Sequence, residues 1–426
     1  MHAKTLSSIA TQYFKRFGFS SQYINTPPAE NLKVVIVIPC YNEPYLTTTL
    51  NSLSACEPPS HPVEVIVVIN SGEQDTSDVL AQNRKSYTEA EEWKRSNKHD
   101  WLKLYVLEAN KLPRKHAGVG LARKIGMDEA LRRFAKINYP GMIACLDADC
   151  TVNPAYLKTL ETVQLERQPQ SCSIYFEHMV DDDNTAELGE GILYYELFLR
   201  YYVNGLAYSG FPFAMHTIGS SMGVRADTYA LSGGMNRRKA GEDFYFLHKI
   251  VPLGGFYNIA ETTVYPSYRT SDRVPFGTGK AQQEWLKNRE NRMQSYHVQT
   301  FDDLKGFLSV VPVLYEKTLS QRELEKLKLP VSVYEFLLAQ GFLAKMEEIK
   351  TNSTHYRTFN KRFFSWFDGF KALKFVHYCR DVYYEQQPLT IASNQMLNKL
   401  GLNCTSEVKD LLFAYRSLDK KRKAII

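Results

Sequence analysis

The sequence predicts an α/β protein, a doubly wound and mostly parallel sheet followed by a C-terminal helical region. Three observations carry that reading. Runs rich in Val and Ile recur near residues 34 and 65, the composition of strands buried on both faces. Segments of helical periodicity separate the strand candidates, as in βαβ units. Beyond residue 281 the apolar spacing is helical throughout. At 426 residues and 49.0 kDa the chain accommodates one core of about 250 residues with an extension.

In order, "LKVVIVIPCYNEP" places a buried strand before Pro39 and a polar loop, and "VEVIVVINSGEQD" (63–75) repeats it. Between them Leu46, Leu50 and Leu53 share one helix face. "WLKLYVLEA" (101–109) is a third strand, followed by a helix on which Met127, Ala130, Leu131 and Phe134 align. "GMIACL" (141–146) is the fourth. From about 155 helices and irregular segments follow, with "CSIYFEHMV" and "YNIAETTVYP" as further strands. Segments 322–329, 333–349, 361–379 and 406–423 all read as helices.

Composition excludes several classes. Hydrophobic residues at 44% and charged at 23% are globular values, which excludes a disordered chain. A net charge of +6 suits an anionic small substrate or an acidic membrane surface; no nucleic-acid partner is expected. Seven cysteines with no C-x-x-C pair argue against a disulfide framework and a zinc site, so a reducing cytoplasm is expected. No signal-peptide core and no run of about 18 apolar residues is present. In the apolar stretch 192–215, Glu196, Arg200 and Asn204 recur every four residues and predict an amphipathic helix, packed on the core or on lipid. Phe363, Phe367 and Phe370 read as a core stripe, and Lys420–Lys423 as a basic tail. Peripheral contact with the inner face of a membrane would use such segments.

The sharpest signal is "CLDADCTVNP". Asp147 and Asp149 end a buried strand where open α/β sheets bind ligands. Two close anions repel unless a cation intervenes, and hard Mg²⁺ or Mn²⁺ takes one or two carboxylates with phosphate and water. Turn capping and a surface charge are the alternative for this pair.

"VIVIPCYNEPYLTTTLNSL", "VIVVINSGEQD", "GVGLARKIGMDEAL", "IACLDADCTVNP", "GSSMGVRADTYALSGGMN" and "GEDFYF", in this order, resemble the landmarks of family 2 glycosyltransferases of the GT-A fold, over about residues 33–275. The resemblance implies a nucleotide-sugar donor, Mn²⁺ or Mg²⁺, and transfer to the hydroxyl of a saccharide or lipid-linked saccharide with inversion. It makes Asp149 a ligand of the metal that bridges the donor's phosphates, and gives Asp147 the ribose or a metal-bound water. Pro39, Tyr41, Asn42 and Glu43 fall in the loop near the nucleotide. Asn70 stands where the family often has Asp, and its amide donates as well as accepts, so the base is left open. Gly118 would let the chain approach a ligand, while Arg123, with Arg114, Lys115 and Lys124, offers charge to phosphate or base. Asp243 matches the general base and Glu242 its neighbour, although both also suit a helix N-terminus. In "YRTSDRVPFGTGKA", Arg269, Arg273 and Lys280 mix with glycines as in a loop closing on the diphosphate, with Arg273 as donor ligand; a plain linker explains this segment too.

The expected organisation is a leader (1–32), a GT-A domain (33–280) with nucleotide-sugar (33–154) and acceptor (155–280) halves, and a helical region (281–426). Two other functions compete. A nucleotidyltransferase would need phosphate-cradling glycines after the first strand, where "PCYNEP" has none; a silent sugar-binding scaffold would have lost Asp147, Asp149 or Asp243, all present.

Overall fold

The computed structural model describes residues 4–19, 21–179, 186–271, 277–288, 293–317, 319–403 and 407–422. The chain forms two compact units, residues 1–182, 217–283 and 420–426 in one, and 183–216 with 284–419 in the other.

Among the described residues the first unit is built on eight strands: β1 (Val34–Cys40), β2 (Val63–Gly72), β3 (Leu102–Leu112), β4 (Met142–Cys145), β5 (Thr151–Val152), β6 (Ser171–Phe176), β7 (Met222–Arg225) and β8 (Phe256–Tyr265). They lie in the order β3-β2-β1-β4-β7-β6-β8-β5. The pairs β3–β2, β2–β1, β1–β4 and β6–β8 are parallel, while β7 and β5 run against their neighbours. This is the mostly parallel α/β sheet that the sequence predicts. Val34 pairs with both Val63 and Met142, so β1 is central and every residue in it is buried.

A glutamate inside β2 breaks the apolar run, and its burial needs a partner. Glu64 finds one in Arg133 of the helix Val119–Lys136, whose Nη2 donates to Glu64 Oε1 at 2.6 Å and to the Tyr105 hydroxyl at 3.0 Å. The same helix anchors the N-terminal segment. Leu6, Ala10 and Tyr13 are buried on one face of the helix Leu6–Phe17, which Thr5 caps through the Ser8 N–H. Tyr13 donates to Asp128 at 2.6 Å and accepts from Lys124 at 2.6 Å, and Tyr229 donates to Asp128 at 2.7 Å.

The second unit is mainly helical, with one short antiparallel pair, Gln294–Ser295 against Gln387–Pro388. Its helix Ala186–Tyr208 carries the four-residue polar stripe, which is buried within the unit. Arg200 donates to Glu196 at 2.8 Å and to Asp419 at 2.5 Å, Asn204 donates to Asp419 at 3.0 Å, and Arg416 donates to Glu196 at 2.7 Å. The stripe therefore holds the C-terminal helix Val408–Lys421 through paired charges. Phe363 and Phe367 are fully buried and stack at 6.2 Å, as a core stripe should, while Phe370 is exposed. Among the described residues no helix is long and apolar enough to cross a membrane, and no disulfide joins the six described cysteines, all of which are buried.

Candidate active site

The strand order reverses between β1 and β4, the kind of switch point at whose carboxyl ends open α/β sheets bind ligands, and the loops that leave these two strands are neighbours. The first loop is tied down tightly. Asn42 adopts the left-handed conformation (φ 49°), tolerable for Asn, and its N–H donates to Asn83 Oδ1 at 2.8 Å. Asn83 in turn donates to the Asn70 carbonyl at 2.9 Å, which fastens the end of β2 to the end of β1. Asn70 is buried and its Oδ1 has no hydrogen-bond partner. Tyr41 donates to Asp75 at 3.1 Å, and Asp75 also accepts the Gly72 N–H at 2.7 Å, so this acid braces the turn after β2. Burial, with Asp75 beside it, pushes the Tyr41 hydroxyl up to about 12. Pro39 lies buried within β1.

Asp147 and Asp149 leave β4 in a turn closed by the Cys150 N–H on the Asp147 carbonyl at 3.1 Å and by Thr49 Oγ1 on the Ala148 carbonyl at 2.9 Å. Each acid has its own guanidinium. Asp147 pairs with Arg123, and Asp149 accepts from Arg269 Nη2 at 3.2 Å. Arg269 Nη2 also pairs with Glu43, which is fully buried.

Arg123 is the centre of the arrangement. It projects from the helix Val119–Lys136, is 3% exposed, and joins Asp147 to Glu242. Burial works to lower its pKa, but the Asp147 and Asp243 carboxylates hold it above its ordinary value. Gly219 lies against it: a Cβ there would stand 2.5 Å from Arg123 Nη2, so a side chain at this position would push the guanidinium aside. Gly120 serves a similar closeness, because its Cβ would lie 2.3 Å from the Arg238 carbonyl.

Glu242 and Asp243 open the helix Glu242–Ile250 after Gly241, whose φ of 68° suits glycine. Glu242 is buried against Arg123, whereas Asp243 is half-buried and accepts the Phe244 N–H at 2.7 Å. Burial raises the Asp243 pKa against the opposing pull of Arg123. One cation thus gathers Asp147, Glu242 and Asp243.

The other residues read from sequence divide plainly. Lys124 is buried on Asp128 at 3.2 Å, away from any role as a surface cation, and burial lowers its pKa. Arg114 and Lys115 are exposed, and Gly118 packs with its Cβ position 3.0 Å from Lys239 Cα. Arg273 lies outside the described residues. Sequence reasoning did not single out Gly219, or Tyr45, over whose ring Arg269 lies at 4.9 Å. A glycine inside the "GSSMGVR" landmark was the available signal for the first.

Asp149 is a hard oxygen donor, one-fifth exposed, and suits an Mg²⁺ or Mn²⁺ ion that draws its remaining ligands from phosphate and water. Among the described residues no three His, Cys, Asp or Glu side chains converge as a self-sufficient cage.

Residues 35–215 match the model of glycosyl transferase family 2. A comparison with curated protein sequences gives no match. Among solved structures, S. aureus TarS 1–349 in complex with UDP-GlcNAc is 14% identical over 91% of this chain and 90% of that one, with a TM-score of 0.38. A further S. aureus TarS structure is 15% identical over 92% of this chain and 57% of that one, TM-score 0.35. GalNAc-T7 with UDP, GalNAc and Mn²⁺ is 14% identical over 72% of this chain and 55% of that one, TM-score 0.34.

Proposed function

We propose that the protein, whose residues 35–215 match the model of glycosyl transferase family 2, transfers a sugar from a nucleotide-sugar donor to an acceptor hydroxyl by a single inverting displacement. One observation carries the reading. A buried arginine at the carboxyl end of the parallel sheet joins the first acid of a D-x-D turn to the helix start that bears Glu242 and Asp243.

In this reading Asp243 is the general base. An in-line displacement needs a carboxylate to take the acceptor hydroxyl's proton as that oxygen attacks the sugar carbon and the nucleoside diphosphate leaves. Burial raises the pKa of Asp243, which makes it a stronger base than a solvated carboxylate. Arg123 opposes that rise, and Glu242, buried against Arg123, is a positioning residue that fixes it. Asp149, with Asp147 beside it, would hold Mn²⁺ or Mg²⁺. The ion would supply positive charge for the leaving diphosphate, where charge develops in the transition state. The rigid loop of Tyr41 and Asn42, with Asn70 behind it, would form the floor for the nucleoside.

Thermal-shift measurements with UDP-, GDP- and dTDP-sugars, each with and without Mn²⁺, test this assignment. A donor at about 100 times its Kd stabilises by about 2.7 kcal/mol, so a rise in Tm of several degrees is expected for one base and only with metal. Asp149→Asn should lose the metal-dependent part of that rise. No shift with any nucleotide sugar, in either condition, would count against a nucleotide-sugar site.

A further inference from the structure

Two pairs of cations meet close to the helix start that bears Asp243. Arg238 and Lys239 lie in the segment that leads into it, and Arg114 and Lys115 lie in the turn 113–117, closed by the His116 and Ala117 N–H groups on the Pro113 carbonyl at 2.8 and 2.9 Å. Packing joins the two segments at the start of the helix Val119–Lys136. The Cβ position of Gly118 is 3.0 Å from Lys239 Cα, and that of Gly120 is 2.3 Å from the Arg238 carbonyl oxygen and 3.0 Å from Glu242 Cβ. This helix follows β3, so both segments stand at the carboxyl ends of the parallel strands, where open sheets bind ligands. Asn236 fastens the second segment, accepting the Arg238 N–H at 3.1 Å and donating to the Glu242 carbonyl at 2.8 Å.

Arg114, Lys115, Arg238 and Lys239 are all exposed, and none forms an ion pair with a described residue. Neither segment, 113–118 or 236–241, contains an acid. Arg238 lies over the Tyr245 ring with Cζ 3.7 Å from its centre, which positions the guanidinium and leaves its N–H edges for a ligand. A surface that serves only solubility mixes both signs, whereas a patch of one sign gathers ligands of the other.

We propose that Arg238 and Lys239, with Arg114 and Lys115 adding to their field, bind an anionic group of the acceptor, so that the hydroxyl offered to Asp243 belongs to a saccharide bearing phosphate or carboxylate. The inference rests on the reading of Asp243 as general base. A base must touch the acceptor hydroxyl, and these two cations precede it by five and four residues on the same fastened segment, so they flank the acceptor. The donor's diphosphate has its own counter-charge in that reading, the ion at Asp149 on the turn after β4. Phosphate and carboxylate both suit a planar fork of donors beside an ammonium. A neutral acceptor would gain nothing from these charges.

Transfer assays on the full chain, followed by release of nucleoside diphosphate from the nucleotide sugar that thermal shift identifies, test the proposal with neutral, hexuronate-containing and phosphorylated oligosaccharides of matched size. Release above the acceptor-free rate is expected with an anionic set, and the set that responds says which anion is read. Arg238→Gln with Lys239→Gln should raise KM for that set by about 10- to 100-fold, the worth of a hydrogen bond to a charged group, at unchanged donor Kd, which also shows that the variant is folded. Salt should raise the acceptor KM of the wild type more steeply than that of the variant. Release with the neutral set alone, an acceptor KM that the variant leaves unmoved, or a loss of donor affinity in place of acceptor affinity would each overturn the assignment while glycosyl transfer stands. Release with no set overturns it as well, and absence of donor binding alongside removes the nucleotide-sugar reading beneath it.

Discussion

Asp243→Asn is expected to lower kcat by about 10²–10⁴-fold, the usual worth of a general base, while leaving nucleotide-sugar affinity nearly intact. The substitution keeps the shape of the side chain and its contact with the Phe244 N–H, and removes only the capacity to accept a proton. Steady-state kinetics with a separate binding titration distinguish this from a structural lesion, which would lose both. The wild-type pH profile carries a second signature. Because burial raises the Asp243 pKa, kcat/KM should fall with decreasing pH through a value above the ordinary carboxylate range, and the amide variant should lack that limb. Stability moves the other way. A carboxyl whose folded pKa lies above its unfolded one stabilises the fold while protonated. That contribution is complete below the unfolded pKa and is lost as pH rises through the folded pKa. At neutral pH the wild type has forgone it, whereas the amide never ionises. The variant should therefore melt no lower than wild type at pH 7.

Arg123→Ala is the most destabilising change that the site predicts. Removing one partner of a buried ion pair costs about 3–5 kcal/mol, because it strands the other charge. Here the stranded group is Glu242, 3% exposed; Asp147 is more than a third exposed and adds little once solvent screens it. Urea denaturation should show this loss. The double variant Arg123→Met with Glu242→Leu should recover much of it, since apolar replacement of a buried pair is often neutral. Activity should not return with stability, because Asp243 and Asp147 would still lack their cation. Recovery of both would reduce Arg123 to a packing element.

The comparison of sequence with structure is instructive at particular residues. β1 and β2 were legible because strands buried on both faces must be continuously apolar, and Glu64 in β2 was the one irregularity, explained only when Arg133 met it. β7, four residues long within a glycine-rich landmark, is too short to generate a period and was not foreseen. The D-x-D turn was visible as acids after an apolar run, yet nothing in its spacing shows that Asp147 and Asp149 hold different arginines, from positions 123 and 269. Such long-range charge pairs are set by tertiary packing. The stripe of Glu196, Arg200 and Asn204 shows the same limit: its helical spacing was plain, but its fate as a buried network depended on Asp419, more than 200 residues away in sequence. Arg123 and Lys124, adjacent in sequence and alike in charge, go to different partners because consecutive residues on a helix face different directions.

The central claim is that this site breaks the bond between a sugar and a nucleoside diphosphate. Phosphorus NMR of the purified protein with a nucleotide sugar, Mg²⁺ and a mixed saccharide acceptor pool measures that event directly. The account predicts loss of the donor's two diphosphate resonances and growth of those of the free nucleoside diphosphate, abolished by Asp149→Asn and by Asp243→Asn. Appearance of nucleoside monophosphate and sugar phosphate instead would mean cleavage between the phosphorus atoms, and would contradict glycosyl transfer.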